Sequence, residues 1–105
     1  MPYIDQESRE LISPMLDEIL EAIEMLELSV GEINFIITKI IHKWIETDGL
    51  RYVNLNAAIG VLDCAKMELY RCVAAPYEEL KIKENGCISN LDGNPDEYQK
   101  DWKKI

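Results

Sequence analysis

Residues 29–49 read SVGEINFIITKIIHKWIETDG, and the periodicity of this stretch decides the fold. Its many β-branched residues would suit a strand. However, Ile33, Ile36, Ile37, Ile40, Ile41, Trp44 and Ile45 recur at steps of three and four, which stacks them along one side of a helix. The run is also far longer than the usual strand of about five or six residues. Ser29 and Glu32 form a capping box, the serine reaching forward and the glutamate back to satisfy free amides. Gly49 is a natural stop. Together these signals predict a helix over 30–47.

Upstream, Ser13-Pro14 offers an N-cap followed by proline at the first helical position. Leu16, Ile19, Leu20 and Ile23 follow at helical spacing, with Asp17, Glu18, Glu21 and Glu24 on the other face. A helix over 14–28 is expected. Downstream, Asn54 suits the cap of a third helix over 55–73, whose stripe includes Leu55, Ala58, Ile59, Leu62 and Leu69. Pro76 lacks an amide and is expected to break or kink that helix. A shorter helix over 77–84 then ends at Asn85-Gly86. Asn94 and Glu97 flank Pro95 as a further capping box, predicting a terminal helix over 95–103. No stretch alternates convincingly enough for a sheet. The expected fold is all-α: a small bundle of three main helices, a short post-proline helix and a C-terminal helix. With 105 residues, it is read as one domain with its core within 14–86 and an extension over 88–105.

Eleven basic against twenty acidic residues give a net charge of -9, a poor basis for neutralising phosphates, so nucleic acid is not expected as a partner. The acidity favours solubility and competition for a basic surface on another protein. The first ten residues, MPYIDQESRE, have neither a cationic start nor an apolar core of a secretory signal. No apolar run approaches the ~18 residues that span a membrane. Cys64 and Cys72 lie eight apart on one predicted helix, roughly 12 Å along its axis and too far for a disulfide. Cys87 has no obvious mate, and no Cys-x-x-Cys pair points to zinc. The reading is a cytoplasmic protein without metal or cofactor.

The apolar content exceeds what one small bundle needs. Phe35, Val61 and Met67 lie off the main stripes, and Tyr98 and Trp102 form an aromatic pair four residues apart. Either a terminal helix folds back over the surplus or a second subunit covers it, and a homo-oligomer is the favoured expectation.

Two groups of residues are candidates for binding. Asn34, Thr38 and His42 run in steps of four along the second helix. An amide and a hydroxyl buried without partners are costly, so Asn34 and Thr38 suit a polar ligand; the ordinary alternative bonds Thr38 back into its own helix. On the third helix, Asp63 with Lys66 and Glu68 with Arg71 are spaced as i, i+3 ion pairs. The functional alternative uses Lys66 and Arg71 for phosphate or carboxylate, with Tyr70 or Tyr77 stacking on a base. Glu18 and Glu21 make an E-x-x-E like that of the all-α nucleotide pyrophosphohydrolases, which bind magnesium. A second acidic pair on a facing helix is missing, because no carboxylate lies between Ile33 and Ile45. Asp92, Asn94 and Asp96 resemble the start of a calcium loop, but Lys103 stands where its glutamate belongs.

Several short runs carry a resemblance: Met1-Pro2-Tyr3-Ile4, Asn34-Phe35-Ile36-Ile37-Thr38, Ile59-Gly60-Val61-Leu62, Glu68-Leu69-Tyr70-Arg71, Ala75-Pro76-Tyr77-Glu78 and Glu84-Asn85-Gly86. In these the chain resembles a small uncharacterised protein family of bacteria and tailed phages. The resemblance implies a small cytoplasmic protein, phage-borne in some settings, and names no reaction. Asp63 stands where that pattern favours glutamate and Cys72 where it favours arginine, which weakens any anion site drawn through Arg71.

The functional expectation is a non-enzymatic, acidic helical binding protein, acting on a host protein or holding a small anionic, nucleotide-like ligand. The candidate ligand-binding residues are Asn34, Thr38, Lys66, Tyr70, Arg71 and Tyr77. The alternatives are a metal-dependent nucleotide pyrophosphohydrolase and a purely structural packing module.

Overall fold

The structure, a computed structural model, describes residues 2–92. It consists of α1 (Gln6–Met25), α2 (Val30–Asp48), α3 (Tyr52–Leu69), a π-helical turn (Tyr70–Ala74) and α4 (Ala75–Asn85). Among the described residues there is no strand, so the fold is all-α. Two compact units divide the chain, Met1–Ala65 and Lys66–Ile105. The capping box at Asn94 and Glu97 and the helix expected after it lie outside the described residues.

In the first unit, α1 begins eight residues before its expected start. Asp5 caps it by accepting the Ser8 amide at 2.8 Å. That amide, the largest influence, and the Ser8 side chain hold the Asp5 carboxyl below its usual range. Ser13 is therefore not a cap. Its hydroxyl donates back to the Arg9 carbonyl at 2.6 Å, and Pro14 lies inside the helix. Proline removes the amide that would serve the Glu10 carbonyl, but Glu10 is exposed, so this is not a buried orphan. The helix stops at Met25, because the chain turns extended at Leu26, three residues before the expected end.

The reading of α2 is accurate to one residue. The Ser29 hydroxyl accepts the Glu32 amide at 3.1 Å, and the Glu32 carboxylate accepts the Ser29 amide at 3.0 Å. At the other end Gly49 adopts φ 109°, a conformation that residues with a Cβ rarely adopt. The chain then needs only Leu50 and Arg51 before α3 begins at Tyr52, three residues early. Asn54 is not the cap that its position suggests. Its side-chain amide donates to the Gly49 carbonyl at 2.7 Å, tying the start of α3 to the end of α2.

Of the break or kink expected at Pro76, the break does not occur. Helical backbone continues from α3 through the π-turn into α4, with the Ala75 amide reaching the Tyr70 carbonyl five residues back. A proline ring clashes with the carbonyl four residues before it and offers that carbonyl no proton. Widening the turn to i→i+5 bonds accommodates both problems without ending the helix. Gly86, at φ 87°, ends α4.

Burial is sparse. Ala58, at 2% exposure, is the one buried residue among those described. On α2, Ile33, Ile36, Ile41 and Ile45 are half-buried, whereas Ile37, Ile40 and Trp44 are exposed. Helices of this length are marginal alone in water and draw most of their stability from packing an apolar face. Within one copy of the chain, that packing is incomplete.

Candidate binding surfaces

The first unit places Asn34, Thr38 and His42 of α2 together, as their spacing predicts. They line one side of a groove of about 310 Å³. Ile37, Ile41 and Ile45 share that side, and Leu55, Ala58 and Leu62 of α3 form the other. The Thr38 hydroxyl donates to the Asn34 side-chain carbonyl at 3.0 Å. The two polar groups thus satisfy each other in part, within a largely apolar lining. Such a groove suits an aliphatic or aromatic group more than a charged one.

The second unit gathers Lys66, Tyr70 and Arg71 on a concavity of about 550 Å³, with Met67, Leu69 and Ala74 supplying apolar lining. The guanidinium of Arg71 is turned to Glu68. The Glu68 carboxylate also lies 3.4 Å from the Cys72 sulfur, where the thiol donates to it. The Tyr70 hydroxyl donates to Glu78 at 3.3 Å. Tyr77 is not part of the concavity's lining; its ring carries the Lys81 ammonium 5.4 Å from its centroid. Lys81 in turn pairs with Glu84 at 3.2 Å. Asn34 and Thr38 therefore belong to one unit, and Lys66, Tyr70, Arg71 and Tyr77 to the other.

Sequence reasoning missed the Tyr70–Glu78 bond. In a regular α-helix, residues eight apart differ by about 80° around the axis. The π-turn absorbs one residue, so Tyr70 and Glu78 stand as an i, i+7 pair would, on one face. No 3.6-residue periodicity shows this. The Tyr77–Lys81 contact was missed as well, although its i, i+4 spacing could have shown it.

Glu18 lines a groove with Ile19, Ile23 and Ile36. Among the described residues, no group of three or more His, Cys, Asp or Glu side chains converges as a metal site would require. No described helix is long and apolar enough to cross a membrane.

Comparison with known proteins places this geometry in a family. The model of a domain of unknown function, DUF6899, matches residues 1–88. The chain belongs to that family. No curated protein and no solved structure matches it significantly. The match covers α1 to α4 and both candidate surfaces, so what is described above is the family's own domain.

Proposed function

We propose that this DUF6899 protein is a non-enzymatic helical binding protein that captures a basic protein target through the concavity at its π-turn. The observation supporting this reading is the pairing of polar groups there, Lys66 apart. Arg71 is matched by Glu68 and the Tyr70 hydroxyl by Glu78, while Met67, Leu69 and Ala74 provide apolar lining. An apolar centre with a satisfied polar rim is the anatomy of a protein-binding patch. Exposed Tyr70 and Leu69 are natural anchors, and α4, which follows the concavity, carries Glu78, Glu79 and Glu84, acids that would complement a basic target. The resemblance to a family of bacteria and tailed phages extends the proposal to a phage accessory factor acting on host machinery in the cytoplasm.

The test is capture from a bacterial lysate by the wild type and by Leu69→Asp and Tyr70→Ala, each at low and high salt. The proposal requires a target that the wild type retains, both variants lose, and salt weakens. A target retained equally by all three would remove this surface from the account.

The small-ligand reading rests on Lys66, Tyr70 and Tyr77, both tyrosines being more than half exposed. It predicts that a nucleotide binds the wild type and is lost on Lys66→Ala. Unchanged affinity in that variant would sink it.

A further inference from the structure

We propose that the first unit presents half of a hydrophobic core, and that a second copy of this chain supplies the other half. Around α2, Ile36 borders the groove shared with α1, and Ile41 borders the groove shared with α3. Five residues separate these two, so they point about 140° apart around the helix. Ile40 and Ile37 fall in the interval between them and are exposed. With Trp44 they form the floor of an open trough. Ile19 and Ile23 of α1 form one wall, and Ile59 and Leu62 of α3 the other.

The seven side chains keep between 37% and 59% of their surface in water. At roughly 90 Å² each they leave about 600 Å² of apolar surface, most of the ~800 Å² that each partner contributes to a stable interface. Residues 93–105 offer little cover, containing only Tyr98, Trp102 and Ile105 as large apolar side chains. A basic protein target also fits poorly, because Asp17, Glu21 and Glu24 occupy the opposite face of α1 and leave Glu18 as the single acid lining either groove. With only Ala58 buried among the described residues, the cover must be present whenever the chain folds, and a second copy always is.

Sedimentation equilibrium of the full chain tests this, with helix content followed on dilution. The expected result is a species of twice 12.1 kDa whose helicity falls as it dissociates. Raising the salt should tighten it, since two copies of charge -9 repel. Ile40→Lys should weaken association at least tenfold. Phe35→Lys, on the far side of α2, and the double change Tyr98→Ser with Trp102→Ser should leave the mass unchanged. A 12.1 kDa monomer with full, concentration-independent helicity would overturn the proposal. So would loss of association in the Tyr98/Trp102 variant, or an unchanged mass in Ile40→Lys.

Discussion

The Arg71 guanidinium donates through one nitrogen to both carboxylate oxygens of Glu68, at 2.9 and 3.2 Å. The cation most suited to an anion is thereby turned toward a carboxylate on its own helix. Arg71 is two-thirds exposed, so the pair adds only a few tenths of a kcal/mol. Arg71→Met should lower stability by less than about 1 kcal/mol, measured by urea unfolding, and leave nucleotide affinity where it was. A large loss of nucleotide affinity would show that Arg71 leaves Glu68 to hold a ligand.

Helix α2 depends on its first turn. Ser29→Ala should cost about 1 kcal/mol, read as a lower urea midpoint, because the Glu32 amide loses its acceptor. Ser29→Asp should restore most of that loss, since aspartate accepts the same amide.

The same box sets a pH dependence. The Ser29 backbone amide, then its hydroxyl, hold the Glu32 carboxyl below its ordinary value of 4.5. A depressed carboxylate contributes stability that is complete above the ordinary value and lost as pH falls through the depressed one. Stability should therefore decline below about pH 4.5 in the wild type, and less steeply in Glu32→Gln, which keeps a hydrogen-bonding side chain without the titration. Equal slopes in acid urea titrations would refute this role for Glu32.

Pro76 sets the π-turn, so Pro76→Ala should let the helix revert to regular i→i+4 bonding. Helicity should rise, and Tyr70 and Glu78 should move about 80° apart around the axis. Target capture should fall at least tenfold although the variant is no less stable. Full capture by a more stable Pro76→Ala would mean that the wide turn does not shape the binding surface.

Much of this architecture was legible from local chemistry. The box at Ser29 and Glu32 and the stop at Gly49 bounded α2 because both act within one helical turn. The errors arose where two local signals competed. Ser13 was read as the cap, but Asp5, which that reading passed over, caps the helix, and the exposed helix tolerates Pro14 inside it. Asn54 carried the composition of a cap, but its side chain serves the Gly49 carbonyl instead. At Pro76 the helix expected to break or kink continues through a widened turn, an outcome that a proline by itself does not announce. The candidate site was legible in its composition, through Lys66, Tyr70 and Arg71. Its pairing was only half legible, because Tyr70–Glu78 depends on the residue that the π-turn absorbs.

Native mass spectrometry of gently purified protein separates a chain that binds proteins through its helical surfaces from one that holds a small ligand. The expected result is a species at an integer multiple, two or more, of 12.1 kDa, without added small-molecule mass. A 12.1 kDa monomer carrying a nucleotide-sized adduct would contradict it.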